Sequence, residues 1–196
     1  MRRSVCALMI SLALLSGCGN KPAAADEMAL HIRTEYMAMT QCHAIVRVLA
    51  DYGERVYEYT LDAVWRKDGE TVLTILEPEM IAGITARVQK GSSVLQYDGA
   101  SLEIGELSLD GFSPIEAVPA AIEYMTRGYM AQCSLEQPEE GQMLLRILCR
   151  DPEQSPGTGA ETEFWIDTNT HALVRAEFLY DGYVVLQCVF TEFTKE

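Results

Sequence analysis

The sequence has little positive charge. Its 15 Lys and Arg residues are outnumbered by 29 Asp and Glu residues, and the formal net charge at pH 7 is −14. A surface this acidic repels the phosphate backbone of nucleic acids and also anionic lipid headgroups. We therefore expect no nucleic-acid partner, and electrostatic attraction alone does not hold such a protein on a membrane.

The sequence also lacks the motifs of common catalytic and metal sites. It contains no Gly-x-Ser-x-Gly turn, no His-Glu-x-x-His pair and no Gly-rich phosphate loop ahead of a helix. Its three histidines, His31, His43 and His171, are too scattered to indicate a ligand cluster. The sequence therefore predicts a protein that is not an enzyme, with no catalytic residue, no metal and no cofactor.

The apolar run near the N-terminus is too short to cross a bilayer. It covers 11 residues, 5–15, whereas a transmembrane helix needs about 20. Arg2 and Arg3 precede it and Leu15-Ser16-Gly17-Cys18 ends it, which is the layout of a secretory signal peptide. The cleavage region resembles the lipobox of bacterial lipoproteins, which implies a signal peptide at residues 1–17 and an acylated diacylglyceryl thioether on Cys18. The alternative is an ordinary signal peptide with an incidental cysteine.

Residues 18–27 are mostly small or polar, and the sequence predicts that they form a tether between the lipid and a single folded domain at 28–196. The nine residues 19–27 reach at most ~30 Å when fully extended. We expect Asp26 to cap a helix that continues to about Thr40. Cleavage before Cys18 removes Arg2 and Arg3 and changes the net charge from −14 to −16.

Four cysteines remain beyond Cys6 and Cys18. They are widely spaced, with no Cys-x-x-Cys pair, so neither a zinc motif nor a redox motif is supported. Four thiols allow three pairings, and the sequence does not choose among them. Free buried thiols and a disulfide therefore both stay open for Cys42, Cys133, Cys149 and Cys188.

From Gln41 onward, apolar and polar residues alternate with the period of a half-buried strand. The residues Tyr57, Tyr59, Leu61 and Trp65, for example, share one face of a strand at 55–66. We predict eleven strands, at 41–49, 55–66, 71–77, 84–89, 93–97, 101–107, 129–136, 142–150, 161–167, 172–180 and 183–193. Turn residues such as Asp98-Gly99 and Asp181-Gly182 separate them, which is typical of a long antiparallel meander.

One segment interrupts the alternation. In residues 113–128, Pro114 and Pro119 suit the first turn of a helix, and Gly128 suits its end. We predict one or two short helices here. The expected fold class is mainly β (α+β): a curved antiparallel sheet forming a half-open barrel, with an N-terminal helix and short lid helices over its concave face.

Four stretches carry a resemblance to a known family. They are EPEMIAGITARV (77–88), LQYDGASLEIGEL (95–107), SPIEAVPAAIEY (113–124) and FWIDTNTHALVRAEFLYDGYVVLQCVFTEF (164–193). These resemble the LolA/LolB-like lipoprotein-carrier family, and in detail the chain looks most like its GerS-like branch of germination lipoproteins. The resemblance implies an eleven-stranded half-open barrel on the outer face of the cell membrane of a Gram-positive-type or spore-forming bacterium.

Two functions follow as hypotheses. In the first, suggested by the GerS-like branch, the anchored domain binds another exported protein, such as a cell-wall amidase acting in sporulation or germination. In the second, it holds lipid or lipoprotein acyl chains in an apolar concavity, as a LolB-like receptor does. A cell-wall hydrolase is a third alternative without a supporting motif, and the possibility of a homodimer stays open.

The candidate binding residues are apolar. Tyr57, Tyr59, Leu61 and Trp65 either belong to an ordinary core or line a cavity on the concave side. Met80 and Ile81 belong to a hairpin loop and either contact a ligand or partner or pack inward. For both sets the alternatives stay open at this point.

Overall fold

A computed structural model describes residues 21–89, 92–105, 112–139 and 141–196, with the side chains from residue 24 onward. The predicted signal peptide at 1–17 and the predicted lipid-attachment residue Cys18 lie outside the described residues. Within the described residues, the chain forms two α-helices, eleven strands and a short 3-10 helix. None of these helices is long and apolar enough to span a membrane.

The elements follow the chain in a simple order. Helix α1 covers Lys21–Ala38, helix α2 covers Ala117–Arg127, and the 3-10 helix covers Glu79–Ile81. The strands are β1 (Gln41–Asp51), β2 (Val56–Arg66), β3 (Thr71–Glu77), β4 (Thr85–Gln89), β5 (Ser92–Tyr97), β6 (Ala100–Glu103), β7 (Met130–Glu139), β8 (Gln142–Arg150), β9 (Ala160–Asp167), β10 (Leu173–Tyr180) and β11 (Tyr183–Lys195).

All eleven strands belong to one antiparallel sheet in the order β6-β5-β4-β3-β2-β1-β11-β10-β9-β8-β7. The first strand therefore pairs with the last, for example Val48 with Cys188, and β6 and β7 form the two edges. The sheet is open rather than closed into a barrel. The predicted strand number, the antiparallel pairing and the half-open architecture are confirmed.

Alternation along each strand buries one face of the sheet. On β1, every second side chain from Cys42 to Ala50 is buried, and the residues between them are more exposed. Two small residues pair on this face, where Ala63 of β2 lies opposite Ala44 of β1. Small side chains leave room for a sheet to curve toward its buried face.

The two helices cover this concave face. Helix α1 buries one stripe of side chains at helical spacing, while Leu30 and Met37 on its other side are exposed. Helix α2 is the single α-helix in the segment 113–128, where one or two were expected. The buried residues of the two helices are Ala25, Ala29, Ile32 and Tyr36 in α1 and Ala117, Val118, Pro119, Ala120, Ala121, Ile122 and Met125 in α2.

Helix α1 is already formed at Lys21, the first described residue, five residues before the expected cap at Asp26. The predicted tether at 18–27 is therefore helical from Lys21. Pro22 is compatible with the first turn of a helix, and the alanines that follow it are the strongest helix formers. Ala25 is also fully buried, so packing adds to this propensity.

All four described cysteines are free thiols. Burial raises the pKa of Cys42 and of Cys149 to about 12 and the pKa of Cys133 to about 11. The pKa of Cys188 is raised as well, because this thiol is completely enclosed. Of the two alternatives left open by the sequence, the structure has the free thiols.

These thiols should be almost unreactive in the native protein. At pH 8, a pKa of about 12 lowers the thiolate fraction, and with it the alkylation rate, roughly 10³-fold relative to an ordinary cysteine. Mass spectrometry after a short exposure to iodoacetamide should find Cys42, Cys149 and Cys188 unmodified, and all four labelled after unfolding in urea. Rapid native labelling of Cys42, or the mass deficit of a disulfide, would contradict this arrangement.

Candidate functional site

The meander places five strand connections at the same end of the sheet. Because neighbouring strands run in opposite directions, connections that follow β1, β3, β5, β8 and β10 all lie at one end. We call this the upper end. Its connections are residues 52–55, 78–84, 98–99, 151–159 and 181–182.

The exposed tyrosines gather at the upper end. All nine tyrosines of the chain are among the described residues, and six of them are exposed. One of the six lies in an upper connection, and one lies just before β7. The other four lie at the ends of strands that border an upper connection. This group, the tyrosine rim, consists of Tyr52, Tyr57, Tyr97, Tyr129, Tyr180 and Tyr183.

The centre of the rim is a chain of ring contacts. The ring centroids of Tyr52 and Tyr57 are 6.2 Å apart, and those of Tyr57 and Tyr59 are 6.4 Å apart. The Tyr52 hydroxyl donates a hydrogen bond to the Phe112 carbonyl oxygen at 2.9 Å, and the Phe112 ring meets Tyr180 edge-on at 5.8 Å. These contacts connect β2 to β10 and hold the rings in fixed orientations.

Burial raises the pKa of Tyr52, and the neighbouring Tyr59 and Glu116 act in the same direction. The hydroxyl therefore remains protonated at neutral pH. A protonated hydroxyl is what the bond to the Phe112 carbonyl requires, since that oxygen can only accept.

Tight turns fix the positions of two rim segments. Asp98 and Gly99 have φ angles of 47° and 77°, and Asp181 and Gly182 have φ angles of 50° and 78°. Positive φ at both central residues is the signature of a type I′ hairpin turn, which matches the twist of the flanking strands. Each turn therefore presents its tyrosine at the last paired position of a strand.

The upper end is acidic as well as aromatic. Its five connections contain six carboxylates and a single cation, Arg55. The carboxylates are Glu54, Glu79, Asp98, Asp151, Glu153 and Asp181. An acidic surface interrupted by tyrosines favours a partner that is basic and can also pack against rings.

Two shallow depressions are associated with the rim. The larger, about 520 Å³, lies at the upper end between β2 and β3; its lining comprises Glu58, Tyr59, Thr60, Leu76, Glu77, Pro78, Glu79 and Ala82. We call it the β2–β3 notch. The smaller, about 350 Å³, lies beside Tyr97. Both open to solvent, and neither lies beneath the helices.

Large side chains fill the space between the sheet and the helices. Tyr36 and Met125 from the helices and Phe164 and Phe178 from the sheet are completely or almost completely buried there. Among the described residues, the concave side is therefore a packed core.

The four predicted residues of β2 fall in different places along the concave side. Tyr57 belongs to the rim, and Tyr59 stacks on it while half-buried. Leu61 is 1% exposed and belongs to the core. Trp65 packs partly buried near the opposite end of the strand, where it pairs with Cys42.

The two predicted loop residues lie in the connection between β3 and β4. Met80 is 87% exposed, and Ile81 beside it is half-buried. Met80 therefore adds a flexible apolar side chain to the upper end. The predicted acylated residue, Cys18, lies outside the described residues.

Most of the rim was missed by the sequence reasoning. A signal was nevertheless present, because tyrosines stand directly beside turn residues in Asp51-Tyr52-Gly53, Tyr97-Asp98-Gly99 and Tyr180-Asp181-Gly182-Tyr183. The histidines were also treated as scattered, whereas His31 and His171 lie next to each other on either side of Glu35.

No family model matches the sequence, and no curated protein matches it. Several solved structures do match this chain, over most of its length and most of theirs. A LolA superfamily protein from Nitrosomonas europaea is 12% identical, with 91% of this chain and 94% of that chain covered, at a TM-score of 0.40. The Mycobacterium tuberculosis lipoprotein LppX is 17% identical, with 84% and 92% covered, at a TM-score of 0.44.

A third match is the structure of the CwlD amidase from Clostridioides difficile in complex with the GerS lipoprotein. The matched chain of that structure is 12% identical to this one, with 91% of this chain and 96% of the matched chain covered, at a TM-score of 0.40. A LolA superfamily protein and the GerS complex, which belong to the groups that the sequence resembles, are therefore also among the solved structures that the chain matches. The match concerns the fold alone. Because the TM-scores are below 0.5, the role of this chain has to follow from its own residues.

Tyr183, the most exposed tyrosine of the rim, should contribute little to folding. Tyr183 is 78% exposed, so Tyr183→Ala should change the free energy of unfolding by no more than about 0.5 kcal/mol. Tyr36 is 1% exposed, and Tyr36→Ala should cost about 3–5 kcal/mol because it leaves a cavity. Urea titrations of the two variants measure both values. Equal losses would mean that Tyr183 is a structural residue.

Proposed function

We propose that this chain is an extracytoplasmic accessory lipoprotein that binds another exported protein through the tyrosine rim. Its role is binding rather than catalysis. The observation that carries the proposal is the gathering of all the exposed tyrosines at one acidic end of a sheet whose concave side is filled.

Tyrosine is well suited to a binding surface. It offers a large rigid ring and a polar hydroxyl at a low cost in conformational entropy, and it is enriched at protein interfaces. If each rim residue has roughly half of its ~200 Å² free, six of them supply on the order of 600 Å². With neighbouring atoms, this approaches the ~800 Å² that each partner contributes to a standard interface.

Charge indicates what kind of partner fits. The β2–β3 notch combines three carboxylates, Glu58, Glu77 and Glu79, with the apolar surface of Tyr59 and Leu76. A Lys or Arg side chain can place its alkyl stem on the apolar part and its charge among the carboxylates. We therefore propose a partner with a basic, partly apolar surface.

Lipid anchoring on Cys18 is the second element of the proposal, and the lipobox-like sequence supports it. Lys21, the first described residue of α1, is three positions from Cys18 in the sequence, a span of at most ~10 Å along the chain. A domain held this close to the lipid does not shuttle between membranes. It binds its partner at the outer face of the membrane. The GerS lipoprotein is found with the CwlD amidase, and a cell-wall amidase is the partner class we propose to test first.

The acyl-chain hypothesis has less support. Holding a lipid requires an apolar space, and the described concave side is occupied by Tyr36, Met125, Phe164 and Phe178. The two depressions at the upper end are shallow and partly lined by charged side chains.

Removing rim rings should weaken partner binding. Surface plasmon resonance would compare the chain, immobilised in mild detergent, with the exported cell-wall amidase of the same bacterium. The double variant Tyr180→Ala/Tyr183→Ala should raise Kd by about 30-fold or more, because a central aromatic contact contributes about 2 kcal/mol or more. Association should also slow as NaCl rises, since opposite charges attract the partners.

The matched control is Leu30→Ala/Met37→Ala, which removes two exposed apolar side chains from α1 instead. It should leave Kd unchanged. Equal weakening by the control and the rim variant would contradict the assigned surface. An absence of amidase binding, together with non-covalently bound lipid in native mass spectra of the purified chain, would favour the acyl-chain hypothesis.

A further inference from the structure

Three side chains with metal-ligating atoms meet at the end of the molecule opposite the rim. His31 and Glu35 belong to helix α1, and His171 belongs to the connection between β9 and β10. One ligand atom from each lies within 4.8 Å of the other two. The two imidazole rings meet edge-on, with centroids 5.8 Å apart.

The local structure fixes the positions of these groups. His31 and Glu35 are four residues apart, so they lie on one face of α1. His171 has a φ of 55° and donates its backbone N–H to the Asp167 carbonyl at 2.9 Å. The carbonyl oxygen of His171 accepts a hydrogen bond from the Tyr36 hydroxyl at 3.0 Å. The turn is therefore fastened to the same helix that carries the other two ligands.

The separations of Glu35 from the two histidines are close to those around a tetrahedral ion. Zinc with bonds of about 2.0–2.1 Å places its ligand atoms about 3.3 Å apart. The separation of His31 Nε2 from Glu35 Oε1 is 3.3 Å, and that of His171 Nδ1 from the same oxygen is 2.8 Å. The second pair shares a hydrogen-bonding proton that an incoming ion replaces, with a small outward movement of the ring.

Lys195 completes the surroundings. Its Nζ lies 2.5 Å from Glu35 Oε2, the carboxylate oxygen that does not face the histidines. This contact orients the carboxylate so that Oε1 points to both imidazoles, as outer partners of metal ligands commonly do. The His31 side chain is 69% exposed, so the ion can enter from solvent and keep a water in its fourth position.

We propose that His31, Glu35 and His171 bind a divalent transition-metal ion, with Zn²⁺ the best match to two imidazoles and one carboxylate. The ion would join α1 to the connection between β9 and β10. Helix α1 covers the concave face and leads toward Cys18, so the bound metal would fasten the covering helix to the sheet.

The test titrates the full chain, in mild detergent, with ZnCl₂ alone against a chromophoric chelator. Thermal unfolding is followed through the fluorescence of Trp65 and Trp165. We expect one Zn²⁺ per chain and a Tm increase of about 5 °C or more when the free ion is about 100 times Kd. His31→Ala should weaken binding at least about tenfold. At the same free Zn²⁺ it should then lower the Tm increase by about half or more, and the exposure of His31 keeps this variant folded.

His43→Ala is the matched control. His43 Nε2 lies 2.9 Å from Asp62 Oδ1, in a pair outside the proposed site, so this variant should bind Zn²⁺ like the unchanged chain. His171→Ala should repeat the loss seen with His31→Ala. A chain that takes up no Zn²⁺, or a His31→Ala variant that binds it with undiminished affinity, would overturn the proposal.

Discussion

Antiparallel pairing is the constraint on which the rest of this molecule depends. It forces successive connections to alternate between the two ends of the sheet, so residues far apart in sequence are collected at one end. Tyr52, Tyr97 and Tyr180 belong to three different hairpins and still lie at the same end. The rim is therefore a product of strand direction, and the pairing of β1 with β11 brings its central members together.

The second consequence of pairing is a sheet with one dry face. Small residues such as Ala44 and Ala63 let this face curve, and the helices bury their apolar stripes against it. The space is then filled by side chains as large as Phe164 and Phe178. Among the described residues, this filled concave side leaves little room for a bound acyl chain, and the exposed tyrosine rings lie at the upper end instead.

The sequence was sufficient to predict the features that depend on neighbouring residues. Period-two alternation located all eleven strands, and Asp-Gly pairs located three of the turns between them, because both signals come from neighbouring residues. The start of α1 was placed too late, since burial of Ala25 depends on tertiary packing. The group of His31, Glu35 and His171 was invisible to spacing, because its members meet only when α1 lies on the folded sheet.

The side chains at the two ends of the sheet make different kinds of contact. At the lower end, side chains hold α1 in place: Lys67 Nζ donates to the Met37 carbonyl oxygen at 2.7 Å, where a cation also complements the C-terminus of the helix. Glu35 and Lys195 form an ion pair at the same end. With α1 fixed at the lower end, the most exposed rim ring, Tyr183, is left available for the binding that we propose.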